Sequence, residues 1–318
     1  MKNIISGPCS IESKEQFNEV LKELLSLGIY NIRAGVWKPR TNQGAFEGLG
    51  EDALKIIKEA KATYEFNSII EVANSKQVAL AEKYEIDSFW IGARTTSSPF
   101  SVQELSDSIT DKDKQILIKN PINYDTKLWI GAINRFIKNG FTNVKPIFRG
   151  YDIAGAYRNQ IVFSALEELI KEFNYIKEDI IIDVSHIAGD RKYIREIVNK
   201  FKECGYNNFM LETHCNPLQA LTDSKQQIPP SYLNSYLSSE TTLDFERRAI
   251  DDVDAQIINL LNKRFELSND IGQKKKYILN RPEIFDKERY ENIKEKYGKY
   301  TVIFNEIHSM SVAKQKEL

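Results

Sequence analysis

The 318-residue sequence is poor in cysteine and histidine, with three of each. Cys9, Cys204 and Cys215 show neither a C-x-x-C spacing nor the even number of a disulfide framework, which argues against a zinc finger or a disulfide scaffold. No apolar run approaches the roughly 20 residues of a membrane span. Because the chain passes almost directly from Met1 into an apolar run, a signal peptide has no room. We therefore expect a cytoplasmic protein with no membrane partner.

Net charge is almost absent as well. The 44 Lys and Arg residues nearly balance the 45 Asp and Glu residues, which leaves −1. This balance argues against nucleic acid as a main partner. The composition, 42% apolar and 28% charged, is that of an ordinary globular protein, and the length favours two domains. If the substrates are anions, positive charge must be concentrated at one site.

Eight short apolar runs divide the first 215 residues, and each ends near a residue that can do chemistry. The segments between them have helical periodicity, for example at 12–27, 127–139 and 155–173. Short strands rich in Ile and Val that alternate with helices are typical of parallel strands buried on both faces. The pattern predicts an α/β fold, a (β/α)8 barrel over residues 1–230, whose site lies at the carboxyl ends of the strands.

The strand pattern does not return beyond residue 225. Pro229 and Pro230 break any helix there. A long apolar stripe from Phe245 to Ile271 then predicts one long helix, and shorter helical segments follow at about 285–297 and 301–316. We predict a small, separate all-α domain over residues 240–318. Because so few helices cannot bury this stripe alone, we expect a homodimer formed through the helical domain.

Four residues at strand ends, or just beyond them, are candidate metal ligands. A lone cysteine is more often a small core residue, and a lone histidine is often a satisfied loop residue. Their shared position at one end of the barrel favours a metal site. A mixed set of sulfur, nitrogen and oxygen ligands suits Mn, Fe, Co or Zn. The candidates are Cys9, His186, Glu212 and Asp223.

Six basic residues follow the same strand ends. A single Lys or Arg in a loop is normally a solvated surface charge. Six cations on one rim instead predict a site for phosphates and carboxylates, because the guanidinium group offers a two-pronged fork to such anions. These residues are Arg33, Lys38, Arg40, Arg94, Lys119 and Arg149.

Several motifs of residues 1–230 carry a family resemblance. They are Gly7-Pro8-Cys9-Ser10-Ile11-Glu12-Ser13, Lys38-Pro39-Arg40-Thr41, Gly92-Ala93-Arg94, Ser185-His186-x-Ala-Gly189 and Leu211-Glu212-Thr213-His214. This stretch resembles the short, metal-dependent 3-deoxy-D-arabino-heptulosonate 7-phosphate synthases. The resemblance implies condensation of phosphoenolpyruvate with erythrose 4-phosphate in the shikimate pathway of aromatic amino acid biosynthesis. A sister family makes 3-deoxy-D-manno-octulosonate 8-phosphate from arabinose 5-phosphate and is the alternative, although the Lys-Pro-Arg-Thr loop favours the four-carbon sugar.

The resemblance also implies residue roles. It makes Cys9, His186, Glu212 and Asp223 ligands of a divalent metal, and it counts Lys38 and His186 as catalytic. Arg40 and Thr41 would bind the aldose phosphate. The implied phosphoenolpyruvate ligands are Arg33, Lys38, Arg94, Lys119 and Arg149.

Residues 240–318 resemble the all-helical chorismate mutases, on Arg247-x-x-Ile250-x-x-x-Asp254, Leu260-Leu261-x-x-Arg264, Ile271-Gly272-x-x-Lys275, Asp286-x-x-Arg289 and Ser311-x-x-x-Gln315. The resemblance implies conversion of chorismate to prephenate, with Arg264, Lys275 and Gln315 as catalytic residues. Arg247, from the partner subunit, would bind a carboxylate with Arg264, and Arg289 and Ser311 would complete the site. The alternative is a catalytically silent regulatory module. In either case we expect feedback on the barrel through this domain.

Overall fold

The computed structural model describes residues 4–38, 44, 46–238, 242–277, 291 and 300–316. The chain divides into two compact units, Met1–Ser239 and Glu240–Leu318. No helix among the described residues combines the length and the apolar character needed to cross a bilayer.

The first unit is a closed barrel of eight parallel strands in sequential order, in which β8 pairs with β1. Each of the eight apolar runs identified in the sequence contributes to one strand, which confirms the predicted barrel. The strands are β1 (Ile4–Gly7), β2 (Asn31–Arg33), β3 (Asn67–Val72), β4 (Ser88–Ile91), β5 (Gln115–Lys119), β6 (Val144–Phe148), β7 (Ile181–Asp183) and β8 (Asn208–Glu212).

One buried cluster joins seven of the eight strands, so its members must point into the barrel. Full burial of each aliphatic side chain contributes about 1.5–3 kcal/mol. Trp90 is the largest member of the cluster. The packed interior leaves the rim at the carboxyl ends of the strands as the place for a site. The cluster comprises Ile5, Ile69, Trp90, Leu117, Ile147, Ile181 and Met210.

The longer helices cover the outside of the barrel and bury one apolar face each. The helices are α1 (Lys14–Ser26), α2 (Glu51–Lys61), α3 (Ser75–Lys83), α4 (Ala93–Thr96), α5 (Pro99–Ser108), α6 (Thr126–Lys138), α7 (Phe163–Phe173), α8 (Val184–Ala188), α9 (Ile194–Glu203) and α10 (Leu233–Leu237). The helix predicted at 155–173 starts only at Phe163. The residues before it form a loop, because the backbones of Tyr151 and Gln160 pair with each other instead of continuing a helix.

The second unit contains a long helix, α11 (Thr242–Tyr277), which packs against α12 (Thr301–Lys316). Both elements were predicted, whereas the helical segment expected at 285–297 lies outside the described residues except for residue 291. Phe265 and Ser311 are buried between the two helices. Many other apolar side chains of α11 and α12 are more than 40% exposed in the single chain, among them Ile250, Ile257, Leu260, Ile271 and Val302.

Candidate active site

Three of the four predicted metal ligands lie together at the carboxyl ends of the barrel strands. Cys9 follows β1, Glu212 ends β8, and Asp223 comes from the loop after β8. One ligand atom from each lies within 4.8 Å of the others. The Cys9 thiol donates a hydrogen bond to Asp223 Oδ2 at 3.2 Å. Cys9 lies more than 200 residues before Glu212 and Asp223 in the sequence, and barrel closure between β8 and β1 brings it to them.

His186, the fourth predicted ligand, lies beside this cluster. Its Nε2 is 3.9 Å from Glu212 Oε1, while its Nδ1 is 2.9 Å from Asp183 Oδ2. Burial lowers the pKa of His186, which favours the neutral ring. A neutral imidazole that donates through Nδ1 to a carboxylate presents Nε2 as a lone pair, which is the arrangement of a metal-binding histidine. Asp183 therefore orients His186, a role that the sequence analysis did not assign.

Two buried glutamines form hydrogen bonds to the candidate metal ligands. The sequence did not predict a role for either of them. Gln226 Nε2 donates to Glu212 Oε2 at 2.6 Å, and the Cys9 amide donates to Gln227 Oε1 at 3.1 Å. Both glutamines are almost fully buried. Only their place between Asp223 and the proline pair could have suggested a role, because a glutamine in a loop carries no specific signal.

The charges in this cluster are strongly coupled. Arg33 Nη2 lies 2.9 Å from Glu212 Oε1, and both side chains are buried. Burial alone would raise the pKa of Glu212, but the positive charge of Arg33, together with that of Lys38, outweighs it and lowers that pKa to about 2. Burial, aided by the negative charge of Glu212, raises the pKa of Cys9 to about 12. Glu212 is therefore ionised, whereas Cys9 is a neutral thiol when no cation is present.

This donor set fits a divalent transition metal. A thiol and two carboxylates converge, and the His186 Nε2 lies 3.9 Å from one of the Glu212 oxygens. Cys9 requires a strong local positive charge before it can ionise. A divalent metal deprotonates a coordinating thiol outright. It would also relieve the repulsion between the Glu212 and Asp223 carboxylates. The oxygen, nitrogen and sulfur mixture does not by itself choose among Mn, Fe, Co and Zn.

A cavity of about 300 Å³ opens beside the cluster. Its wall combines one group of cations with His186 and Asp223 from the ligand set. The predicted cations Lys38, Arg94, Lys119 and Arg149 all contribute to this wall. Arg33 is buried against Glu212 and is not among the lining residues. The predicted Arg40 and Thr41 lie outside the described residues.

Lys119 and Arg149 are held firmly in the wall. Lys119 Nζ lies 2.7 Å from Asp183 Oδ2, so Asp183 contacts both a cation and His186. Asn120 Oδ1 accepts a hydrogen bond from the Arg149 amide at 2.7 Å. The buried Arg149 Nη1 has no hydrogen-bond partner within the described part of the chain. An anion in the cavity would supply one.

Trp90 underlies the same wall. The ring lies 5.0 Å from the guanidinium carbon of Arg33 and 5.5 Å from Lys119 Nζ. Its Nε1 donates to Glu71 Oε2 at 2.9 Å. Glu71 reaches this place because Gly92 has no side chain, since a Cβ there would come within 2.0 Å of Glu71 Oε1. These contacts give the Glu71 carboxylate on β3 a structural role beneath the cavity wall.

The helical unit brings two of its predicted residues together. Arg264 Nη1 donates to Ser311 Oγ, and Ser311 Oγ donates to the Ile307 carbonyl at 2.9 Å. Arg247 is exposed on α11. Lys275 and Gln315 belong to α11 and α12, but their side chains lie outside the described part of the structure, as does all of Arg289.

Comparison with known proteins assigns both units. The model of the DAHP synthetase I family matches residues 2–246. The chain belongs to this family. A second model, chorismate mutase type II, matches residues 246–316, and the two long helices described there agree with the helical fold predicted from the sequence.

Curated relatives fall into two groups. A phospho-2-dehydro-3-deoxyheptonate aldolase of Thermotoga maritima is 29% identical over 226 residues, which cover 71% of this chain but only 64% of the relative, less than two thirds of its length. A 2-dehydro-3-deoxyphosphooctonate aldolase of Fusobacterium nucleatum is 25% identical and covers 76% of this chain and 90% of the relative. The barrel sequence is therefore similar both to a phospho-2-dehydro-3-deoxyheptonate aldolase and to a 2-dehydro-3-deoxyphosphooctonate aldolase.

Solved structures support the barrel. The crystal structure of the Thermotoga maritima phospho-2-dehydro-3-deoxyheptonate aldolase (DAHP synthase) has a TM-score of 0.67 and 25% identity, over 79% of this chain and 70% of that one. A truncated form of the Thermotoga enzyme gives a TM-score of 0.62 at 23% identity, over 79% and 87%. The second likeness supports the fold alone.

Proposed function

We propose that the barrel of this DAHP synthetase family member condenses phosphoenolpyruvate with erythrose 4-phosphate to give 3-deoxy-D-arabino-heptulosonate 7-phosphate. The observation that carries the proposal is one cavity lined both by cations and by two of the candidate metal ligands, His186 and Asp223. Phosphoenolpyruvate carries a phosphate and a carboxylate, and both suit the Arg and Lys wall. The aldehyde of erythrose 4-phosphate would lie next to the candidate metal ligands.

The residues of the barrel site would have different roles in this reaction. Arg94, Lys119 and Arg149 bind the anionic groups of phosphoenolpyruvate, and Lys38, which lines the same cavity, also interacts with Cys9. A divalent metal held by Cys9, His186, Glu212 and Asp223 would act as a Lewis acid toward the aldehyde. C3 of phosphoenolpyruvate forms a bond to the aldehyde carbon, water adds at C2, and phosphate leaves as its C–O bond breaks. Positioning and fixed charge therefore supply most of the rate.

One experiment separates the two sugar substrates. The purified protein is offered phosphoenolpyruvate with erythrose 4-phosphate or with arabinose 5-phosphate, and kcat/KM is compared. We expect the four-carbon sugar to be preferred. Preference for the five-carbon sugar would favour the second candidate, an octulosonate 8-phosphate synthase, which the 90% coverage of the Fusobacterium relative supports.

For the helical unit we propose the rearrangement of chorismate to prephenate. Chorismate is a dianion, and its rearrangement needs no acid, base or nucleophile but fixed charges around the breaking ether bond. Arg264, positioned by Ser311 on the facing helix, offers such a charge. Lys275 and Gln315 would address the ether oxygen, and Arg247 and Arg289 would complete the site.

Direct measurement of chorismate loss tests this activity, with Arg264→Ala as the control. Activity that disappears in the variant supports the proposal. A wild-type chain that leaves chorismate unchanged would instead support a silent regulatory module.

We also propose that the helical unit forms a homodimer and gives feedback. The exposed apolar side chains of α11 and α12 are of the kind that a second copy covers. Because the two proposed reactions belong to one pathway, chorismate or prephenate bound to the helical unit would restrain the barrel. Synthase rates that do not change at saturating prephenate would contradict this feedback.

A further inference from the structure

The cavity wall contains a further arginine that the sequence analysis did not select. Arg158 comes from the loop between β6 and α7 and lines the cavity with Arg94 and Arg149. We propose that Arg158 binds a phosphate or carboxylate group of one of the two phosphorylated substrates, beside the metal ligands. The inference rests on the proposed synthase function and adds a substrate-binding residue to that site.

The loop that carries Arg158 is anchored on both sides. The Tyr151 amide donates to the Gln160 carbonyl at 3.0 Å, and the Gln160 amide donates back at 2.8 Å. Asn159, the next residue after Arg158, donates through Nδ2 to the His186 carbonyl at 2.5 Å. Arg158 is therefore fixed relative to His186 rather than carried on a free surface loop.

The aliphatic part of the Arg158 side chain packs against a glycine. It packs on Gly189, where an added Cβ would lie 2.4 Å from Arg158 Cβ and 2.9 Å from its Cδ. Gly189 also has a φ of 67°, a backbone conformation that residues with a side chain rarely adopt. The glycine that closes the Ser-His-x-Ala-Gly motif thus leaves room for this arginine.

The guanidinium head joins the cation wall to the ligand cluster. Arg158 Nη1 donates to Gln226 Oε1 at 2.8 Å and lies 3.8 Å from Asp223 Oδ1. Gln226 in turn donates to Glu212. The side chain of Arg158 is 48% exposed, whereas Arg33 is 1% exposed. A guanidinium has five N–H donors, so a head held through Nη1 can still offer others to an anion.

Charge repulsion supports the same conclusion. Burial, and in addition the nearby charges of Arg158 and Arg94, lower the pKa of Arg149 to about 10, although Asp183 acts in the opposite direction. Cations that disfavour each other in one wall are stabilised when an anion binds between them.

The test compares Arg158→Gln and Arg158→Lys with a matched control, Arg191→Gln. Arg191 donates to the carbonyls of Ser224 and Lys225, so it holds the same segment next to Gln226. It is not among the residues that line the cavity. Steady-state KM and kcat are measured for each substrate, phosphoenolpyruvate binding is titrated by calorimetry, and Mn²⁺ affinity is measured separately.

We expect Arg158→Gln to raise the KM of one phosphorylated substrate about 10- to 10²-fold, the effect of losing one charge-assisted hydrogen bond. The lysine variant should fall between it and the wild type, because it keeps the charge without the fork. A weaker phosphoenolpyruvate affinity assigns the contact to that substrate. An unchanged affinity with a raised KM for the aldose phosphate assigns it to the sugar. Mn²⁺ affinity and the Arg191→Gln control should stay close to the wild type.

Two results would overturn the inference. One is KM values for both substrates that stay within experimental error of the wild type in Arg158→Gln. The other is an equal loss of Mn²⁺ affinity and KM in the Arg158 and Arg191 variants, which would mean that Arg158 only fixes the segment after Asp223. A wild-type chain that makes neither sugar product would reject the proposed function, yet a loss of phosphoenolpyruvate affinity in Arg158→Gln would still support the anion contact.

Discussion

The barrel and the helical unit bury their candidate residues to different degrees. In the barrel, Asp183 and Glu212 are fully buried, and Arg33 and Lys119 pair with them inside one chain. In the helical unit, Arg264 meets Ser311, but apolar residues of the same helices remain exposed. The barrel site is thus organised by its own chain, while we expect the helical site to be completed by a second copy. Variants can test each side of this contrast.

The largest effect is expected from Cys9→Ala. This change removes one ligand of the compact cluster, so bound metal and synthase activity should both be lost. Metal polarisation of a carbonyl contributes several kcal/mol, which corresponds to a rate loss on the order of 10³-fold. Metal content and product formation measure the effect. Chorismate turnover serves as the internal control and should not change; full synthase activity without bound metal would refute the assignment.

The next effect concerns the helical unit. Ile257→Asp places a charge on the exposed apolar face of α11. Burying an unpaired charge in an interface costs at least about 3 kcal/mol, so association should weaken on the order of 10²-fold or more. Sedimentation measures the oligomeric state, and chorismate turnover should fall with it while the synthase rate persists.

Asn262→Asp is the matched control for Ile257→Asp, because it adds the same charge at an exposed polar position of α11. We expect it to leave the assembly intact. A monomeric wild-type protein, or an Ile257→Asp chain that still dimerises, would break the proposed contrast between the two units.

A third variant, Asp183→Asn, tests whether Asp183 positions both a cation and a metal-binding histidine in the barrel site. It removes the charge that Lys119 and His186 share. Loss of such a partner of a metal-binding histidine typically costs about 10- to 100-fold in metal affinity or activity. Metal titration and the KM of phosphoenolpyruvate should both change, since Asp183 serves both groups. A change in neither would show that Asp183 does not position them.

The smallest effect is expected from Ser311→Ala. Its hydroxyl accepts from Arg264, but the Ile307 carbonyl remains 3.5 Å from the same guanidinium. Losing one hydrogen bond costs about 1 kcal/mol, so the KM of chorismate should rise about fivefold. Initial rates of chorismate loss measure the change, and a loss as large as that of Arg264→Ala would contradict the supporting role given to Ser311.

Local pattern was enough to predict the barrel. Its strands are short apolar runs, and each candidate residue follows one of them, so Cys9 and Glu212 could be placed on one rim before the structure was known. The loop before Phe163 was predicted wrongly as helix, because its backbone pairing depends on Tyr151 and Gln160, which periodicity does not register.

The supporting residues could not be predicted in the same way. Gln227 meets Cys9 across 218 sequence positions, and Arg158 meets Gln226 across 68. A glutamine or an exposed arginine carries no signal in its own neighbourhood, so its role depends on which loops the closed barrel brings together. Asp183 had a weak signal, because it ends β7 three residues before His186.

The contrast between the units is tested most directly by measuring both reactions on one sample before chelation, after chelation, and after single metals are restored. We expect chelation to abolish heptulosonate phosphate formation and one or more of Mn, Fe, Co and Zn to restore it, while chorismate turnover stays constant throughout. Synthase activity that survives complete removal of metal would contradict the role given to Cys9, His186, Glu212 and Asp223.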